Sequence, residues 1–128
     1  EKLREIVEVQ GGDPRVIDNP SRLPTAPSVE PVTATRPGYL TAVDAELIGR
    51  ATKVLGAGRD QLDQMIDHAV GAVIKVALGE SVRVGDPVVD LHHRDARGLD
   101  EARQLVSRAV HIDDVPPATA TLILDTVA

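Results

Sequence analysis

The sequence predicts an α+β fold of mixed strands with two main helices. Short β-branched runs recur along its 128 residues. Two longer segments carry apolar residues at helical spacing instead. The two kinds of segment do not alternate regularly, which argues against a βαβ repeat and a parallel sheet. Neither an internal repeat nor a low-complexity tract interrupts this pattern.

Leu3, Ile6 and Val7 fall at helical spacing, and Gly11-Gly12 supplies a stop. Isolated helices below about 12–15 residues are marginal in water, so this one needs a partner surface. It begins at Glu1 without a clear capping residue, and the chain has no initiator Met. Both features lead to the expectation of a piece cut from a longer protein. From Asp13 to Pro37 the composition shifts: six of the nine prolines lie here. This stretch reads as an extended connector with one helical turn, where Pro14 follows an Asp13 cap. A domain boundary is expected near Ala26–Ser28, with 1–27 as terminal helix and connector and 28–128 as the domain proper.

Val29–Ala34 and Tyr39–Val43 read as strands, broken at Arg36-Pro37-Gly38. Asp44 caps a helix whose stripe is Leu47, Ile48, Ala51, Val54 and Leu55, and Gly56 ends it. Leu62, Met65, Ile66, Ala69 and Val70 also fit a helical stripe; a turn of helix is expected near Asp60–Met65, then strand character through Val76. Val82–Val84 and Pro87–His92 read as strands around a Gly85-Asp86 turn. A second amphipathic helix runs from Leu99 to Val110, through Leu99, Ala102, Val106 and Ala109. Pro116-Pro117 breaks the chain before the apolar Leu122-Ile123-Leu124.

The net charge is -6, charges of both signs are interspersed, and Tyr39 is the single aromatic. Neither phosphate neutralisation nor base stacking is served by this composition, so nucleic acid is not an expected partner. An anionic membrane surface is excluded on the same charge argument. No apolar run approaches the roughly 20 residues that span a bilayer. Without Cys there are no disulfides or thiolate metal sites, which suits a reducing, cytoplasmic location.

Candidate chemistry is sparse. Gly56-Ala57-Gly58-Arg59 has the composition of a phosphate loop, but phosphate loops precede helices, where free N–H groups meet the anion. This loop follows a helix, so a Gly cap with Arg59 beside the negative helix end is the better reading. Asp90, His92, His93 and Asp95 have metal-ligand chemistry. Adjacent His92 and His93 on a strand point to opposite faces, which opposes a shared ion. Lys75, in Val73-Ile74-Lys75-Val76, resembles the modified lysine of biotinyl and lipoyl carriers. Its aliphatic flanks instead fit a strand lysine whose stem packs while its head reaches water. None of the serines has a nucleophile-elbow context, and Asp113-Asp114 reads as a solvated loop.

Read in order, Gln10-Gly11-Gly12-Asp13, Leu23-Pro24, Gly38-Tyr39-Leu40, Leu55-Gly56-Ala57-Gly58-Arg59, Ile66-Asp67-His68-Ala69-Val70-Gly71, Leu78-Gly79-Glu80-Ser81-Val82, Gly85-Asp86-Pro87 and Leu91-His92 resemble the C-terminal part of the thymidine and pyrimidine-nucleoside phosphorylases. The resemblance implies an α/β hammerhead related to the barrel-sandwich hybrids of biotinyl domains. It implies that residues 1–12 are the last helix of a preceding domain. The implied reaction is attack of phosphate on the anomeric carbon of a pyrimidine nucleoside, giving free base and pentose 1-phosphate. The implied partners are the remaining phosphorylase domains, the nucleoside and phosphate, in a homodimer whose contacts lie mainly elsewhere. No position here matches the family's phosphate-binding or base-polarising residues. No catalytic residue, cofactor-binding residue or metal ligand is therefore assigned, and the chain alone is expected to be inactive. In the family, the segment matching Gly56, Gly58 and Arg59 faces the cleft, so a role in domain closure is expected. The alternatives are a biotinyl- or lipoyl-type carrier resting on Lys75 and a stand-alone binding module that keeps only the fold.

Overall fold

A computed structural model describes residues 1–59 and 65–118. The helical turn expected at Asp60–Met65, but for Met65, and the Leu122–Leu124 run lie outside them. The N-terminal helix α1 (Lys2–Val9) has no side-chain cap hydrogen bond and no buried residue. The connector then makes two short 3-10 turns rather than the expected one. Asp13 accepts from the Arg15 N–H ahead of Pro14–Val16, and Asn19 accepts from the Ser21 N–H ahead of Pro20–Arg22. In both, Pro occupies the first turn, where its missing N–H costs nothing.

Among the described residues six strands follow: β1 (Ser28–Thr33), β2 (Gly38–Val43), β3 (Gly71–Ile74), β4 (Ser81–Val82), β5 (Pro87–His93) and β6 (Val110–Asp113). They form two antiparallel sheets, ordered β1-β5-β3 and β4-β2-β6. Each strand therefore lies in the opposite sheet from the strand before it. The helices α2 (Ala45–Thr52) and α3 (Leu99–Ala109) pack on each other and carry the chain between the sheets. With three α-helices and two small sheets among the described residues, the fold is α+β, as the sequence predicts.

Two strand expectations need correction. Val110 does not continue the second helix. Its backbone is extended (φ -89°, ψ 123°), and it opens β6, whose Val110 pairs with Val43 of β2. Val110 and Ile112 alternate with polar His111 and Asp113, a period-2 pattern too short to stand out beside a helix. The Val82–Val84 run does not pair across the Gly85-Asp86 turn. Only Ser81–Val82 is strand, and it pairs with Tyr39 and Gly38. The turn is instead braced by Ala34, just past the end of β1, which donates to the Asp86 carbonyl and accepts from the Gly85 N–H, both at 2.9 Å.

The core lies where the sheets and helices meet. Leu40 of β2, Val89 and Leu91 of β5, Ala51 of α2, and Ala102 and Val106 of α3 are fully buried. Alternation along β5 sends Val89, Leu91 and His93 inward, while Asp90 and His92 are half-buried on the other face. At β2 a register shift sets Thr41 outside the ladder, and its hydroxyl donates to the Asp113 carboxylate at 2.7 Å. Arg103 of α3 reaches Glu30 of β1 at 2.7 Å.

Helix α2 starts as expected, with the Asp44 carboxylate accepting from the Leu47 N–H at 3.0 Å. Replacing a capping Asp with Ala removes one of the few partners of the first-turn N–H groups. Asp44→Ala should lower unfolding free energy by about 1 kcal/mol, read from urea denaturation. Gly98, which precedes α3, has φ +63°, and a Cβ there would sit 2.5 Å from the Val54 carbonyl oxygen. Both the backbone conformation and the contact exclude a side chain. Gly98→Ala should cost about 2–4 kcal/mol in the same measurement.

Candidate functional site

The loop after α2 is built by a change of helical pitch. Residues Lys53–Ala57 form one wider, π-type turn, and Gly56 leaves helical geometry with φ +114°. A conformation of that sign suits Gly, so α2 stops where the sequence places the stop. Gly56 is buried, whereas Arg59 is exposed. Gly58 is extended and passes close to Lys53: a Cβ at Gly58 would lie 3.0 Å from the Lys53 Cγ.

The loop is gripped from two directions. On one side, Gly98 presses against Val54, as its contact geometry requires. On the other, the Asp67 N–H donates to the Gly56 carbonyl at 3.0 Å. That carbonyl belongs to the end of a helix, where the carbonyls lack intrahelical donors. The loop thus presents a carbonyl to its neighbour, in keeping with a helix cap rather than a phosphate cradle.

Asp67 makes two further bonds. One carboxylate oxygen accepts from the Ala69 N–H at 3.0 Å, and the other accepts from Arg94 Nε at 2.8 Å. The Arg94 bond first, then the Ala69 N–H, holds the Asp67 carboxyl below the usual carboxylate range, and Asp67 in turn raises Arg94. Both groups therefore carry their charges at neutral pH. Arg94 follows β5 and opens a tight turn in which Asp95 and Ala96 both have φ +53°. Beside the pair lies an open groove of about 450 Å³, lined in part by Pro24, Met65, His68 and Arg97.

The other sequence candidates do not converge here. His93 is buried and His92 half-buried on opposite faces of β5. No three His, Asp or Glu side chains gather around a common point among the described residues. Lys75 is not at a hairpin tip. Its N–H donates to the Val88 carbonyl at 2.8 Å, and its ammonium meets Asp90 at 3.2 Å. It lies one residue past the end of β3, short of the strand expected through Val76, and faces β5 through both bonds, so the carrier reading has no support.

Asp67 and Arg94 were not singled out by sequence reasoning. Asp67 does lie within the Ile66–Gly71 run that carries the resemblance, which was the one available signal. Nothing in the sequence marks Arg94 as its partner, 27 positions away.

Comparison with known proteins identifies the relatives of this sequence. The sequence profile of the family described as "Pyrimidine nucleoside phosphorylase C-terminal domain" matches residues 39–113, from β2 to β6. The pyrimidine-nucleoside phosphorylase of Geobacillus stearothermophilus is 32% identical over 126 residues, covering 98% of this chain and 29% of that protein. The Bacillus subtilis protein of the same name is 38% identical over 92 residues, covering 72% of this chain and 21% of its own length. The Staphylococcus aureus protein is 35% identical over 119 residues, covering 93% and 28%. The chain thus spans less than a third of the length of these curated relatives. With the profile covering more than half of its residues, the chain belongs to the pyrimidine nucleoside phosphorylase C-terminal domain family.

Proposed function

We propose that this chain is the C-terminal portion of a phosphorylase that cleaves pyrimidine nucleosides with inorganic phosphate. The observation that carries this is the profile match from β2 to β6, together with relatives named pyrimidine-nucleoside phosphorylase that are three or more times longer. In the proposed reaction, phosphate oxygen bonds to the anomeric carbon and the bond to the base nitrogen breaks. The base leaves with the electron pair, giving pentose 1-phosphate. Such catalysis is positioning plus charge stabilisation. The residues that perform it lie outside this chain, and the chain alone is inactive.

Residues 1–27 belong with the preceding part of the enzyme, and 28–128 form the C-terminal domain. The exposure of α1 supports this division: Leu3 is 61% and Val9 87% exposed, an apolar face that calls for a covering surface. The intact enzyme is a homodimer with its contacts elsewhere, works in the cytoplasm, and binds neither nucleic acid nor membrane. The acidic composition and absence of Cys favour this, and no helix among the described residues is long and apolar enough to cross a membrane.

Within the domain, Gly56, Gly58 and Arg59 form the loop that meets the rest of the enzyme when the cleft closes. The exposure of Arg59 beyond a buried, well-anchored Gly56 suits a loop held firmly at its base and presented at its tip. Closure of this kind excludes water and completes a site.

The full-length enzyme should release free base from thymidine or uridine only when phosphate is present, and residues 1–128 alone should release none. Arg59→Ala in the full-length enzyme should lower turnover roughly tenfold and leave the thermal midpoint unchanged. Steady-state kinetics beside a melting curve check both points. Unaltered kinetics would remove the loop from the mechanism.

A further inference from the structure

We infer that Asp67 and Arg94 are positioning residues that fix the Gly56–Arg59 loop for cleft closure. This rests on the closure role proposed above for that loop.

Asp67 ties its own segment to two others. Its N–H holds the Gly56 carbonyl, one carboxylate oxygen holds the Ala69 N–H leading into β3, and the other holds Arg94 at the end of β5. The opposite flank of the loop is closed by Gly98, four residues beyond Arg94, pressed against Val54. A single turn, Arg94–Gly98, therefore meets the helical turn that leads into the loop through Gly98, and the loop itself through the Arg94–Asp67 pair. That turn holds Asp95 and Ala96 in left-handed conformations that non-Gly residues adopt at a cost. Backbone strain of this kind persists where surrounding structure over-determines it.

The pair is poorly placed to hold the fold together. The Arg94 side chain is 50% exposed and that of Asp67 30%, and exposed ion pairs add little to stability. The geometry is nevertheless well defined, with bonds of 2.8 Å and 3.0 Å on the two oxygens of one carboxylate. A contact with little weight in stability but with three bonding partners sets position. It decides where the Gly56 carbonyl lies, and hence where the tip carrying Arg59 is presented. Arg94 acts through Asp67, and Asp67 through the Gly56 backbone.

The test uses the full-length enzyme with Arg94→Ala, Asp67→Asn, the double variant, Arg94→Lys, and Arg59→Ala as reference. Asp67→Asn is the milder change, because the amide oxygen can still accept from Ala69 while the charge facing Arg94 is gone. Each single variant should lower kcat by roughly tenfold, within the range that a small misplacement of a reacting group produces. The double variant should be no slower than the slower single one, since both break one link. Arg94→Lys should recover part of the loss, and melting temperatures should stay level. Amide exchange at Asp67, whose N–H holds Gly56, should speed up in Arg94→Ala.

Normal turnover in Arg94→Ala and Asp67→Asn, with Arg59→Ala slow, would overturn the positioning role and spare the loop. Normal turnover in Arg59→Ala would remove the closure reading and this inference with it. A loss of kcat that tracks a loss of folded protein, or amide exchange at Asp67 that does not change, would reduce the pair to a structural contact.

Discussion

No strand described here pairs with its neighbour in sequence. The β1, β3 and β5 strands make one sheet, and β2, β4 and β6 make the other. Each connection must therefore cross the core between them, and two of the crossings are made by helices. The burial of Leu40, Val89, Leu91, Ala102 and Val106 in one cluster is what holds the two sheets in place. A three-stranded sheet is stable only with an apolar face covered, so each depends on that shared surface. The pairing of β5 with β1 closes a long loop before any ladder bond is gained, which costs chain entropy.

The same interleaving creates the candidate site. α2 leaves one sheet and must stop near the other, and its last turn widens before Gly56 breaks it. The end of β5 and the segment before β3 both arrive at that point, because β3 and β5 are neighbours in the sheet. Arg94 and Asp67 are thereby brought together, and the free carbonyl at the helix end finds a donor. Gly98 completes the arrangement from α3, which packs against α2. A helix end, a sheet end and a tight turn thus meet around one exposed loop.

Membership in the phosphorylase C-terminal family gives this loop a setting. Here the chain supplies less than a third of the length of its relatives, and its described residues gather no cluster with metal-ligand chemistry. The Gly56 carbonyl is seated by the Asp67 N–H, and α1 leaves Leu3, Ile6 and Val9 exposed.

What the sequence determined by itself was local. The Asp44 cap, the stop at Gly56, the connector turn at Asp13-Pro14, and the strands around Leu40 and Leu91 follow from capping chemistry, backbone freedom and periodicity. The opposed faces of His92 and His93 follow from the two-residue repeat of a strand. The ordered short runs also carried enough pattern to point to the family. The tertiary structure decided what joins distant residues. It turned Val110 from a helix end into the start of β6, because β2 offered an edge to pair with. It withdrew Val84 from any strand, and it set Lys75, just past the end of β3, against Val88 and Asp90. It also brought Asp67 to Arg94. Such contacts depend on which strands become neighbours, and alternation between two sheets leaves no short-range signal for that. The reason is physical: a cap or a turn is satisfied within a few residues, whereas a ladder partner or an ion pair between distant segments exists only once the core has brought those segments together.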